Sequence, residues 1–156
     1  EASDPYIEFR QLGIVDRFGR TAVRTGSSNN PWAGHETGDG WVVMGNAVVD
    51  EGVVAAMATA MRDHGAEDIE TRLMQSISAG TDAGGQPDGQ RAAAVVVHEN
   101  EGYPIVNLRV DDHDEPMQEL WRLFHKMLPL VPYYRQRPDD PTLGRVVDWK
   151  KKHGID

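Results

Sequence analysis

Two helical stretches lie back to back in the middle of this chain, with strand-forming runs on both sides. That order restricts the folds open to it. DEGVVAAMATAMRDHG (residues 50–65) starts with Asp50, a capping residue, carries Glu51 in its first turn and ends at Gly65. Val53, Met57, Ala60 and Met61 recur at helical spacing. EDIETRLMQSISAG (67–80) follows at once, with Ile69, Leu73, Met74 and Ile77 at the same period and Gly80 as the expected stop. Before the helices, YIEFRQLGIVD and TAVRTG read as a β-hairpin turning at Gly19, and WVVMGN (41–46) as a short strand. After them, AAAVVVHE (92–99) and IVNLRV (105–110) read as a second hairpin, followed by an amphipathic helix through Met117, Leu120, Trp121, Phe124 and Leu128. Hairpins imply antiparallel pairing, and a central helix pair implies a helix layer over a sheet, so the expected class is α+β. Five strands are few for the size of the loops between them, which points to an incomplete sheet.

Two polar, Gly-rich stretches, SSNNPWAGHETGDG (27–40) and TDAGGQPDGQR (81–91), read as long loops, a length that in compact domains usually goes with function or disorder. Residues 1–128 are expected to form the domain, and 129–156, broken by prolines, an extended C-terminal arm ending in a short helix. The chain has no cysteine, which excludes disulfides, thiol catalysis and zinc–thiolate sites. A formal net charge of −9 argues against binding nucleic acid or an anionic membrane. No run approaches the roughly 18 apolar residues of a membrane span, and the polar start is unlike a signal peptide. The expectation is a cytoplasmic protein with a small-molecule substrate. The start at Glu1, with no initiator Met, suggests an upstream segment that was removed or simply not included.

The side chains that carry chemistry are few. In NLRVDDHDEP (107–116), Asp114 and Glu115 suit the start of a helix with Pro116 in its first turn. Asp111 and His113, two residues apart on extended backbone, share a face and can hold substrate or a catalytic amine. Nothing there matches a metal-binding spacing such as HExxH, so no metal is expected. Asn46, after Gly45 at a strand end, offers an amide N–H to an oxyanion, worth on the order of 3 kcal/mol when preorganised; it also suits a left-handed turn. Trp32 and His35 lie in the first long loop, Trp32 as a packing anchor or substrate platform and His35 as an acid/base candidate or an ordinary exposed residue. AGGQPDGQ matches neither phosphate-binding glycine pattern, and no nucleophile stands out.

RQLGIVDRFGR, TGSSNNPWAGHETGDG, VVMGN, EGVVAAM, AGGQPDGQRAAAVVV and GYPIVNLRVDDHDEPMQEL occur in that order. Together they resemble a bacterial domain-of-unknown-function family, numbered ten-twenty-eight, of the N-terminal-nucleophile (Ntn) hydrolase superfamily. The likeness runs from about Asp4 to Phe124. It implies a four-layer αββα sandwich of antiparallel sheets and an amidohydrolase acting on a small amide, cyclic imide or ureide without a cofactor. Such enzymes use an N-terminal Thr, Ser or Cys whose own α-amine is the base. In the family a further segment carrying that nucleophile precedes RQLG. The resemblance therefore implies a second polypeptide that supplies it and completes the sandwich, in a heteromer that associates further. It makes Asn46 and Asp111 candidate catalytic residues, and Trp32, His35, Arg91 and His113 candidate substrate-binding residues. Arg91-Ala92 stand where the family has Gln-Ser, which leaves open a non-catalytic ligand-binding or scaffold subunit.

Overall fold

The computed structural model describes residues 4–155, an α+β protein with small antiparallel sheets. The chain divides into two compact units, Glu1–Gln90 and Arg91–Asp156.

In the first unit, β1 (Gln11–Val15) and β2 (Thr21–Thr25) form the expected hairpin, with Gln11 opposite Thr25 and Val15 opposite Thr21. Asp16 ties the turn by accepting hydrogen bonds from the Phe18 and Arg20 amides at 2.9 and 3.0 Å. A second hairpin pairs β3 (Ala33–Gly38) with β4 (Trp41–Asn46), so six residues read from the sequence as loop are a strand. AGHETG has little strand propensity of its own. Its conformation comes from pairing with β4 across the Asp39-Gly40 turn, where Gly40 takes φ 75°.

The two faces of β3–β4 differ. Trp41 and Val43 pack with Val54, Ala58 and Met61 of α1 (Glu51–Asp63) into a buried core. Asp50 caps that helix, accepting from the Gly52 amide at 2.8 Å. On the other face β1 comes close. A Cβ added to Gly13 would lie 3.0 Å from Met44 Cε and 3.2 Å from Val42 Cγ1, so no larger residue fits without a shift.

α2 (Ile69–Asp82) packs on α1, and the Ser76 hydroxyl donates to the Met57 carbonyl at 3.1 Å. Gly80 does not end this helix, which runs on to Asp82. Its missing side chain leaves room for Met57, whose Cγ would lie 2.8 Å from an added Cβ. The helix buries Glu70, Met74 and Ser76, while Ile69 and Ile77 of the expected apolar stripe stay 43% and 37% exposed. Tyr6, Phe9, Leu12, Ile14 and Phe18 are exposed along and around β1.

Glu8 fastens the segment before β1. It accepts from the Ser27 amide and hydroxyl, both at 2.9 Å, and pairs with Arg24. These contacts, the Ser27 amide foremost, hold its carboxyl below the usual glutamate value. A lowered folded value means that the contribution is complete above the unfolded pKa of about 4.3 and lost as pH falls through the folded value. The stability difference between wild type and Glu8→Gln should therefore shrink as pH drops below about 4.3. Urea midpoints from pH 7 to pH 3 measure this, and a difference independent of pH would contradict it.

In the second unit, β5 (Ala93–His98) pairs with β6 (Pro104–Val110), with a register shift at Val97/His98. Ala93, Val95 and Val97 alternate inward, and α3 (Pro116–Met127) packs on both strands through a face that buries Met117, Leu120 and Phe124. Pro116 opens α3 as expected. Asp114 does not cap it: the boundary residue is Glu115, without a side-chain cap bond, and Asp114 pairs with Arg91 instead. The segment expected as an extended arm contains α4 (Val131–Gln136) and α5 (Val146–His153). Pro132 falls in the first turn of α4, where its missing N–H breaks no helical hydrogen bond. Buried Tyr133 and Trp149 meet with ring centroids 5.7 Å apart, and the Tyr133 hydroxyl donates to the Gly144 carbonyl at 2.8 Å. Among the described residues no helix is long and apolar enough to cross a membrane.

Candidate functional site

Residues directly opposite in an antiparallel pair share a face, and faces alternate along each strand. Asn46 is opposite Ala33 and His35 opposite Met44, so Asn46 and His35 lie on the face of β3–β4 that β1 approaches. A chain of polar side chains links them there. The Asn46 amide Nδ2 donates to Gln11 Oε1 at 3.2 Å. Gln11 Nε2 in turn lies 3.0 Å from Thr25 Oγ1 and from the carbonyls of Gly34 and Gly45. Thr25 Oγ1 is 2.8 Å from His35 Nδ1. In the arrangement where the Thr25 hydroxyl proton points along the chain, Thr25 accepts from Gln11 and donates to Nδ1, leaving His35 a proton donor at Nε2.

This chain spans two hairpins. Gln11 and Thr25 are half-buried, while Asn46 and His35 are exposed at its ends. The second N–H of the Asn46 amide has no protein partner among the described residues, so it can donate to a ligand while Gln11 fixes the plane of the group. Ala47, the next residue, has φ 53°, a left-handed conformation that non-glycine residues adopt rarely and often at functional sites. The left-handed conformation that the Gly-Asn step suggests for Asn46 is taken by Ala47 instead. Neither Gln11 nor Thr25 was expected as a site residue.

Trp32 is turned the other way. Its ring packs against the buried core, and Cη2 would sit 2.1 Å from a Cβ added to Gly34. Trp32 and Val48 exchange backbone hydrogen bonds at 3.1 and 3.3 Å, which ties the loop before β3 to the segment after β4.

In the second unit, Arg91 pairs with Asp112 at 2.6 Å and with Asp114, and its carbonyl accepts from the His113 amide at 2.9 Å. The two carboxylates, Asp112 first, raise the pKa of the guanidinium. Asp111 pairs with Arg109 at 2.9 Å. His113 Nδ1 accepts from the Glu115 amide at 2.9 Å. That bond leaves only Nε2 free to meet a substrate. All these side chains are exposed, so their ion pairs are solvent-screened and contribute little to stability. Among the described residues no three His, Asp or Glu side chains converge as metal ligands would.

The fold is shared with a known protein family. The chain belongs to the family of unknown function DUF1028, whose model matches residues 1–120. A crystal structure of a Silicibacter pomeroyi protein of that family superposes with a TM-score of 0.68 at 33% sequence identity, covering 80% of this chain and 55% of that one. This chain thus spans just over half of that relative's length. No curated protein matches it.

Proposed function

We propose that this chain is one subunit of an Ntn-type amidohydrolase that cleaves a C–N bond in a small amide, cyclic imide or ureide. A second polypeptide would bring the N-terminal nucleophile and complete a four-layer αββα sandwich. The observation that carries this reading is the Asn46 amide, held by Gln11 at an exposed strand end with one N–H available. In the reaction an N-terminal hydroxyl or thiol attacks the amide carbon, and its own α-amine, with a reference pKa of about 8, takes the proton. Negative charge then gathers on the former carbonyl oxygen, and the Asn46 N–H donates to it. His35, at the other end of the polar chain, offers Nε2 to a substrate carbonyl.

Exposed Leu12 and Ile14 on β1, and Ile69 and Ile77 on α2, are apolar faces that a further layer of the sandwich would cover. A non-catalytic ligand-binding subunit is the second reading. It is favoured by Arg91, whose side chain is held by Asp112 and Asp114 where the family pattern has Gln. The completed assembly, incubated with a panel of linear amides, cyclic imides and ureides, separates the two. Turnover with release of amine or carboxylate supports the hydrolase. A ligand-dependent rise in melting temperature without turnover supports the binding subunit.

A further inference from the structure

The Gly-rich loop AGGQPDGQ (83–90) has no part in the site described so far. It lines a cleft of about 370 Å³ through Gln86, Pro87 and Asp88, together with Asn30, Pro31 and Ala47. The cleft lies wholly within the first unit, and its volume suits a small molecule. Backbone hydrogen bonds hold the segments that build it. The Ala47 amide donates to the Asn30 carbonyl at 3.1 Å, the Val49 amide to the Gly85 carbonyl at 3.0 Å, and the Gly89 amide to the Gln86 carbonyl at 3.0 Å. The walls are therefore set by backbone pairing.

The chemistry of the lining selects the ligand. A Gly-rich turn can cradle an anion with its N–H groups. Here the one charged residue of the lining is Asp88, whose carboxylate repels an anion and attracts a cation. Asn30, Gln86 and Asp88 are exposed, and among the described residues their side chains make no hydrogen bond or ion pair. Each has oxygen to offer, from one carboxylate and two carboxamides. A primary ammonium has three N–H donors and no acceptor, so a single cation can use all three side chains. Pro31 and Pro87 add apolar surface for the alkyl carbons that carry it.

We propose that this cleft binds a primary ammonium group on a short alkyl chain, and that the substrate of the amidohydrolase proposed above carries one. The substrate assignment rests on that reading; the binding itself does not. Ala47 joins the two places. It lines the cleft, and its Cα is about 3.8 Å from that of Asn46. An amide whose carbonyl oxygen meets the Asn46 N–H thus has a cation site beside it. A formal net charge of −9 draws cations to the whole surface, so a built site is distinguished by its dependence on one carboxylate.

The test titrates this chain with N-(4-aminobutyl)acetamide at about 0.15 M salt, which screens the diffuse attraction, and follows backbone amide chemical shifts. The expected result is saturable shifts at Ala47, Gln86, Asp88 and Gly89. Asp88→Asn, checked for folding by circular dichroism, should raise Kd by about tenfold or more. Asp63→Asn on α1 removes the same charge and should leave Kd within about twofold. The neutral N-butylacetamide should bind about tenfold more weakly or worse. No saturable shift at these residues overturns the inference. So do equal affinity for the two amides, equal losses in the two variants, and saturation of the same shifts by inorganic phosphate. In the completed assembly, kcat/KM for the charged amide should exceed that for the neutral one by about tenfold or more, and Asp88→Asn should remove the preference. Turnover of both amides alike overturns the substrate assignment and leaves the hydrolase reading standing. Saturable binding at the cleft with no amide turned over keeps the cleft and removes the hydrolase reading.

Discussion

In the completed assembly, Asn46→Ala is expected to lower kcat by about 10²–10³-fold while KM changes by only a few-fold. An oxyanion donor acts in the transition state and little in the ground state, and removal of one such donor has an effect of that size. Asn46→Asp should lose as much, because it keeps the shape and replaces a donor with a charged acceptor. Folding should change little. Asn46 is exposed and makes one side-chain hydrogen bond, to Gln11, worth about 0.5–1.5 kcal/mol. Steady-state kinetics on the best amide of the panel, together with a thermal melt of each variant, makes the measurement. A kcat within threefold of wild type would strip Asn46 of the role. A proportionate loss of Tm and kcat would make it a structural residue.

Much of the fold is legible in the sequence because its signals are local. Asp50 and the 3.6-residue period announce α1, and Val95 and Val97 with Ile105 and Val106 announce the β5–β6 hairpin. β3 escapes because AGHETG is extended only by virtue of the strand beside it. The one local clue is Asp39-Gly40, a hairpin turn pair embedded in a stretch whose composition reads as loop. α4 escapes because Pro132, Pro138 and Pro141 look like breaks, while the short helix expected at the end of the arm is α5. Pro132 is harmless in a first turn, and the edge-on contact of Tyr133 with Trp149 is one no local window contains.

The candidate site divides in the same way. Asn46 and His35 attract notice by their chemistry and sequence setting. Gln11 and Thr25 are ordinary strand polars, and their part emerges only from register: Gln11 falls opposite Thr25, and the closeness of Gly13 to Met44 brings that pair over β3–β4. The signal that could have found them is the hairpin itself, since the Asp16–Arg20 turn, centred on Phe18, sets Gln11 against Thr25. For α2 the sequence is informative in another sense. Its stripe of Ile69, Leu73 and Ile77 is written to be buried, and the structure leaves it at the surface.

Phe124→Ala should destabilise the second unit by about 3–5 kcal/mol, the range for deleting a buried aromatic ring. Phe124 is 1% exposed, on the face of α3 that carries buried Leu120 and Met117 onto β5–β6, and its ring meets Trp121 edge-on with centroids 5.5 Å apart. Removing it takes away both the transfer energy of the ring and the contacts of the atoms that lined it. Domains of this size hold only about 0.05–0.15 kcal/mol per residue in reserve, so the loss approaches the whole stability of the unit. At about 4–8 °C per kcal/mol for domains of 60–100 residues, Tm should fall by at least 12 °C or so. Phe124→Leu keeps most of the apolar volume and should lose less than half as much. Phe18→Ala provides the contrast: the same residue type at 66% exposure, with Arg17 and Arg20 over its ring, is expected to cost below about 1 kcal/mol. Scanning calorimetry of the three variants decides. If Phe124→Ala costs no more than Phe18→Ala, α3 does not close the core over β5–β6, and the second unit must draw its stability from α4 and α5.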